Sequence, residues 1–250
     1  MSAGIPAGPV GRAGVGPDRV RALRRVLYRS ARQEPERRFH ALSDKVARSD
    51  VMRRAWRDVA ADKGAPGVDG VGIKDVEDAG VQEFLEGLAL ELRSGRYRPR
   101  PLRRVHIPRS GRPGQTRPLG IPTVRDRVAM AAARLVLEPA FEADLLASSF
   151  GFRPRRSAHM AIEAIRVAAD RRGDWVLDAD IKACFDEIDH DALMAQVARR
   201  VVDRQMLKLL RCRLRAGIFE GGGRHRAWLG HPAGIADLPA AGEHRPAPPR

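Results

Sequence analysis

The chain has 250 residues, of which 46 are Lys or Arg and 31 are Asp or Glu, so its formal net charge is +15. A charge this positive favours a polyanionic partner, and nucleic acid is the first candidate. Nearly all of the basic residues are Arg, which together with abundant Ala, Gly and Pro also fits a coding bias towards GC-rich codons. The 2 cysteines exclude a disulfide framework, and no apolar run approaches the roughly 18 residues of a membrane span.

The sequence predicts no regular structure at either end of the chain. Residues 1–17 are rich in Gly and Pro and lack the apolar segment of a signal peptide. Residues 231–250 have no periodicity and are rich in Pro, Ala, Gly and His, so we expect both segments to be disordered. Cys184 and Cys212 are interpreted as small core residues, which fits a reducing cytosol and a cytoplasmic protein.

Helices are predicted over most of the first hundred residues. Residues 18–32 place apolar side chains at helical spacing, opposite a strongly basic face. A second helix is predicted over about 41–62 and stops at the Gly- and Pro-containing turn 64–70. Another helix covers about 77–94 and ends near a glycine.

A β-hairpin is predicted over 101–121, because two short segments that carry Arg flank the Gly-rich turn SGRPGQ. A long helix follows over about 123–146, and Pro139 is expected to bend or break it. The basic loop SFGFRPRRS (149–157) comes next, and Ser157 can cap the helix after it.

Carboxylates are crowded into WVLDADIKACFDEIDH, residues 175–190. The stretch begins with Trp-Val-Leu, a run that is typical of a buried strand. In a strand over 175–181, Asp178 and Asp180 would share one face, because residues two apart point the same way. Two ionised carboxylates on one face repel unless a cation neutralises them, and Mg²⁺ prefers one or two carboxylates together with substrate phosphates. A divalent metal at Asp180 is therefore one hypothesis.

The acids of this segment also have a plainer interpretation as surface residues. Asp189 is the predicted N-cap of a helix, and Asp186 fits a solvated turn. A last amphipathic helix is predicted over about 203–216.

Several long motifs of this sequence, and their order along the chain, resemble those of group II intron-encoded reverse transcriptases. DADIKACFDEIDH resembles the first catalytic motif of that family, and SSFGFRPRRSAHMAIEAI resembles the block that leads into the palm. RRVHIPRSGRPGQTRPLGIPTVRDRVAMAAARLVLEPAFEADL resembles the fingers motifs, and APGVDG resembles a turn near the N-terminal extension. The similarity runs from about Ala41 to Gly230.

The resemblance implies an α+β, helix-rich fold: right-hand polymerase-like fingers with an incomplete palm, a short antiparallel β-hairpin and disordered termini. It also implies a division of the chain into a leader (1–17), a helical N-terminal extension (18–100), fingers (101–174), a partial palm (175–230) and a tail (231–250).

Catalytic and nucleotide-binding residues also follow from the resemblance. Asp180 matches the palm aspartate that holds catalytic Mg²⁺, and the backbone carbonyl of Ile181 would share that metal. Phe185 matches the bulky residue that excludes a 2′-hydroxyl and so favours deoxynucleotides, although a core aromatic is the alternative. Arg109 and Arg117 match the basic pair that grips the incoming triphosphate, for which a guanidinium fork is well suited.

The basic loop is the predicted RNA-binding element. Arg153, Arg155 and Arg156 match the loop that approaches the template or intron backbone, and a solvated basic loop is the alternative. The implied partners are group II intron RNA, an RNA template with a DNA primer, and deoxynucleoside triphosphates, with no membrane.

The resemblance stops at GHPAG, which begins at Gly230. The Asp-Asp pair that the family carries in its next block does not follow in this sequence, so we expect a truncated or frameshifted reading frame with an out-of-frame tail. Two functions remain open. One is a fragment of an RNA-directed DNA polymerase that extends a primer on an RNA template and assists intron splicing and mobility. The other is a non-catalytic, maturase-like remnant that binds intron RNA. A product with no stable fold is a third possibility.

Overall fold

The computed structural model describes residues 18–108, 114–172, 175–181, 187–220 and 223–225. The helices are α1 (Arg19–Gln33), α2 (Ser43–Val46), α3 (Ser49–Ala61), α4 (Ile73–Ala79), α5 (Val81–Arg93), α6 (Val124–Glu142), α7 (Ala158–Arg172), α8 (His190–Arg200) and α9 (Arg204–Leu214). The strands are β1 (Leu102–Pro108), β2 (Thr116–Ile121), β3 (Ile218–Glu220) and β4 (Gly223–His225). The predicted disorder of 1–17 and of 231–250 lies outside the described residues.

Side-chain caps set the start of several helices, as the sequence predicts. The Asp189 carboxylate accepts a hydrogen bond from the Ala192 N–H at 2.7 Å at the start of α8. The Ser157 hydroxyl accepts one from the Met160 N–H at 3.3 Å at the start of α7. Both caps satisfy backbone donors that have no partner inside the helix, so both capping predictions are confirmed.

Two of the predicted helices are each divided into two. The helix predicted over 41–62 is α2 and α3, because the backbone at Arg48 is extended and starts a new helix. The helix predicted over 77–94 is preceded by α4, and Gly80 separates α4 from α5 with a φ of 109°. Glycine adopts this conformation without the steric cost that other residues incur.

The core is built around α6, against which α1, α2 and α3 pack. Its buried residues, among them Val136, cover most of the helix surface, and Arg134 and Glu138 lie on the remaining side. A helix that is buried on most of its sides belongs inside a domain. The helix continues past Pro139 to Glu142, so this proline does not break it, and a bend at Pro139 stays a prediction.

The sheet has the strand order β2-β1-β3-β4. β1 and β2 pair antiparallel with Val105 opposite Leu119, so the predicted hairpin is confirmed. β3 pairs parallel with β1 through Leu102 and Ile218, and then antiparallel with β4. The last two strands were not predicted, because each has only three residues and too little pattern to detect.

The strand predicted over 175–181 is absent from this segment, which the structure describes in full. Its residues belong to no strand, and Trp175 is 95% exposed and Leu177 91% exposed. The prediction of a buried strand was wrong, because an apolar run becomes a strand only where a neighbouring strand pairs with it. The four-stranded sheet does not extend to this segment.

Two buried polar residues connect the C-terminal helices to the N-terminal part of the chain. The Arg200 guanidinium donates to Asp144 at 2.7 Å and to the Pro35 carbonyl at 2.6 Å. Asp203 accepts hydrogen bonds from the backbone N–H groups of Leu42 and Ser43, both at 2.8 Å. The contacts to Pro35, Leu42 and Ser43 join segments that are about 160 residues apart in the sequence. Among the described residues, none of the helices is long and apolar enough to cross a bilayer.

Candidate nucleic-acid interface

The β1–β2 hairpin carries one of the two arginines that were predicted to bind a triphosphate. Arg117 lies on β2 opposite Ile107, and its side chain is exposed to solvent. Arg109 lies in 109–113, outside the described residues. An exposed guanidinium on a paired strand can reach an anionic ligand while the strand holds its backbone in place.

Arg153 is held by contacts within the chain. Its guanidinium forms an ion pair with Glu142 at 2.8 Å, and its side chain is 7% exposed. It also donates to the backbone carbonyls of Ser149, at 2.8 Å, and Leu146. These bonds close the basic loop onto the end of α6, so Arg153 shapes this loop whether or not RNA binds to it.

The rest of the basic loop is open to solvent. Phe152 is 85% exposed, and both Phe152 and Arg155 have positive φ, at 53° and 62°. Residues other than glycine rarely adopt this backbone conformation, and such backbone strain is concentrated at functional sites. Arg156 stacks over the Phe150 ring at 5.2 Å, so the three predicted RNA-binding arginines have different environments. Of the three, only Arg155 is an exposed residue.

The acidic segment, residues 175–181, presents its carboxylates to solvent. Asp178 and Asp180 are both exposed, and Ile181 is 73% exposed. Phe185 and Asp186 lie in 182–186, outside the described residues. Because 175–181 is not a strand, the argument that Asp178 and Asp180 share one face of a sheet no longer applies.

The described residues do not fit a complete divalent-metal site. Among them there is no group of three or more His, Cys, Asp or Glu side chains placed to hold an ion. Asp180 and the carbonyl of Ile181 supply at most three oxygen donors, so the other positions of an octahedral Mg²⁺ would fall to water, substrate phosphates or further carboxylates. Their assignment as metal ligands stays a prediction.

A second basic surface was missed by the sequence analysis. Arg98, in the loop before β1, lies beside Lys208, Arg211 and Arg215 of α9 and its C-cap, around an open groove of about 550 Å³. Cys212 also lines this groove and is half-buried. The spacing of 208, 211 and 215 places these residues on one helix face, and that spacing was the available signal. The approach of Arg98 is a tertiary contact that the sequence did not reveal.

Comparison with known proteins assigns the class of this fold. Residues 107–241 match the family described as reverse transcriptase (RNA-dependent DNA polymerase), which is more than half of the chain. The chain therefore belongs to the reverse transcriptase family. The matched range includes β2, the basic loop and the acidic segment, and it extends beyond Gly230, where the sequence analysis placed the end of the resemblance.

Individual relatives place the chain within that family. It is 37% identical over 221 residues to protein YkfC of Escherichia coli, covering 86% of this chain and 57% of YkfC. It is 32% identical over 214 residues to the group II intron-encoded protein LtrA of Lactococcus lactis, covering 85% of this chain and 35% of LtrA. The resemblance to group II intron-encoded reverse transcriptases is confirmed, and the chain spans about half or less of the length of these relatives.

A solved structure shows the same fold. A chain of the partial Cas6-RT-Cas1–Cas2 complex superposes with a TM-score of 0.52 at 19% identity, covering 78% of this chain and 32% of that chain. At this identity the likeness concerns the fold alone. The predicted α+β, helix-rich class with polymerase-like fingers and a partial palm is confirmed.

Proposed function

We propose that this chain is the fingers and partial palm of a group II intron-encoded RNA-directed DNA polymerase, and that its own contribution is to bind RNA. The observation that carries the proposal is the family match over 107–241, which includes strand β2 with Arg117 and the segment with Asp180. The net charge of +15 supports a nucleic-acid partner. LtrA, which is named as a group II intron-encoded protein, supports intron RNA as that partner.

The residue roles in the full polymerase follow from the family. Arg109 and Arg117 would hold the triphosphate of a deoxynucleotide, and Phe185 would exclude ribonucleotides. Asp180 and the carbonyl of Ile181 would hold Mg²⁺, with further ligands from outside the described residues. A metal held there would supply positive charge to the phosphoryl group undergoing transfer.

A non-catalytic, maturase-like role is the second candidate for the isolated chain. The solvent exposure of 175–181 favours it, because a catalytic carboxylate needs rigid neighbours to hold a metal in position. Arg155 and the exposed Phe152 offer a cation and an aromatic face, which are the groups that unpaired RNA bases and phosphates contact.

A primer-extension assay combined with RNA binding distinguishes the two candidates. With an annealed primer, Mg²⁺ and deoxynucleotides, we expect the purified chain to show no extension above an Asp180→Ala control. We expect structured RNA to bind, with an affinity that falls by orders of magnitude between roughly 50 and 200 mM salt as counterions are released. Asp180-dependent extension would establish the polymerase by itself and overturn the non-catalytic role. An affinity that is unchanged across that salt range would overturn RNA binding.

A further inference from the structure

The groove between the 94–100 loop and α9 has the charge and the rigidity of a binding site. Its lining residues are Arg98, Pro99, Lys208, Arg211, Cys212, Arg215 and Ala216. Four of these seven are cations and none is acidic. Cations that lie side by side repel one another, and an anionic ligand removes that cost.

The hydrogen bonds of the groove orient its cations without neutralising them. Arg98 donates to the carbonyls of Gly95 and Tyr97, at 3.0 Å and 2.8 Å. Lys208 donates to the Gly95 carbonyl at 3.1 Å, from the other side of the groove. Carbonyl oxygens carry no net charge, so both side chains stay positive and are held in place.

The loop that carries Arg98 is anchored in the core. The Tyr97 hydroxyl donates to the Asp126 carboxylate at 2.6 Å, and the Arg100 backbone N–H donates to the same carboxylate at 3.0 Å. Tyr97 is 4% exposed and Asp126 is fully buried. Burial, and then the neighbouring Asp126 charge, hold the pKa of Tyr97 well above its ordinary value. The hydroxyl therefore remains protonated and keeps this hydrogen bond.

Stabilisation of the helix end explains only part of the cluster. Arg211 and Arg215 lie in the last turn and at the C-cap of α9, where cations interact favourably with the helix dipole. Lys208 lies a turn earlier, and Arg98 belongs to another element. The convergence of all four therefore needs a further reason.

We propose that this groove binds the phosphodiester backbone of RNA, as a site distinct from the hairpin and the basic loop. The cations of α9 extend over two turns, about 10 Å at 1.5 Å per residue. That length exceeds one phosphate group and matches a few consecutive phosphates of a strand. The inference rests on the RNA-binding function proposed above and names the surface that performs it.

A matched pair of double variants tests the site. Arg211→Ala/Arg215→Ala removes two groove cations four residues apart. Arg53→Ala/Arg57→Ala removes two exposed arginines at the same spacing on α3, away from the groove. Loss of two phosphate contacts should lower the slope of log affinity against log salt by about 1.4 for a single strand, which is about 25-fold in affinity at 0.1 M salt. The α3 variant should stay within a few-fold of the wild type.

Chemical protection of Cys212 gives a readout that needs no variant. We expect saturating RNA to slow alkylation of the Cys212 thiol several-fold, as read at that site by mass spectrometry. An unchanged alkylation rate would overturn the groove site, as would equal losses of affinity in the two double variants. If the wild-type protein binds RNA and the Arg211→Ala/Arg215→Ala variant binds it with the same affinity, this inference fails and the proposed function stands. If wild-type protein binds no RNA, both fail.

Discussion

The Asp203 side chain joins the start of α9 to the residues at the start of α2. Its Oδ2 accepts from the backbone N–H groups of Leu42 and Ser43 and from the Ser43 hydroxyl, each at 2.8 Å. Its Oδ1 caps α9 through the N–H groups of Gln205 and Met206, both at 3.0 Å. Burial by itself would raise the pKa of Asp203, but the backbone hydrogen bonds from Ser43, Met206 and Leu42 outweigh it and hold the pKa below the ordinary 3.8.

Substitution Asp203→Ala should lower the free energy of unfolding by about 3 kcal/mol, since it removes a helix cap and leaves buried N–H groups without a partner. A depressed carboxyl pKa contributes stability above the unfolded value of 3.8, and that stability is lost as the pH falls through the lower folded value. The difference between wild type and variant should therefore shrink below about pH 4.

Urea unfolding at several pH values measures this effect. Asp170→Ala is the control, because Asp170 is exposed and pairs with the exposed Arg166, a type of contact that contributes less than about 1 kcal/mol. A difference between wild type and Asp203→Ala that stayed constant down to pH 3 would contradict the role assigned to the charged carboxylate.

At the scale of elements, the hairpin and the acidic segment contrast most. Both have short apolar runs in the sequence, yet only β1 finds partners, with β2 on one side and β3 on the other. In 175–181, Trp175, Val176 and Leu177 are each more than 85% exposed. The backbone donors of an unpaired segment hydrogen-bond to water, which leaves them open to exchange.

Hydrogen exchange of the native protein should separate these two elements. We expect the amides of 175–181 to exchange at nearly the rate of an unfolded peptide. The paired amides of the hairpin, around Val105 and Leu119, should exchange at least an order of magnitude more slowly. The amides inside α6 give an internal reference for the most protected part of the core. Equal protection in 175–181 and in the hairpin would show that the acidic segment does form a strand in solution.

At the scale of the whole molecule, a single core crosses the predicted domain boundaries. Buried residues of α1, α6 and α9, such as Leu27, Val136 and Leu210, belong to one hydrophobic cluster. The division at residues 100 and 174 stays a prediction, and the cluster indicates that these regions share one core. Outside it, α7 exposes Ile162 and Ile165, each 64% exposed, and the acidic segment begins with three exposed apolar side chains.

These exposed apolar side chains should make the chain self-associate despite its charge. The double variant Ile165→Ser/Leu177→Ser should reduce association, measured by analytical ultracentrifugation, and should bind less of an apolar dye. Its free energy of unfolding should change by less than about 0.5 kcal/mol, because both side chains are already in water. Val136→Ser, the same kind of change at a fully buried residue, should instead unfold much of the protein. Association unchanged in the double variant would place the contact elsewhere.

The sequence by itself determined the features that depend on neighbours within a few residues. The caps at Ser157 and Asp189, the hairpin around a Gly-rich turn and the helical spacing of α9 all arise from contacts between residues close in the chain. The order of the long motifs likewise sufficed to identify the family, and the prediction that Arg117 lies on a hairpin strand agrees with the structure.

Only the tertiary structure decided which distant segments meet. It paired β3 with β1, joined Asp203 to Leu42, and brought Arg98 to the basic face of α9. It also left Leu177 exposed, although its sequence pattern is that of a buried strand. An apolar or charged pattern records what a residue can bind, whereas its partner depends on how loops of a hundred residues or more close around a common core. That choice is made by the packing of all the elements together.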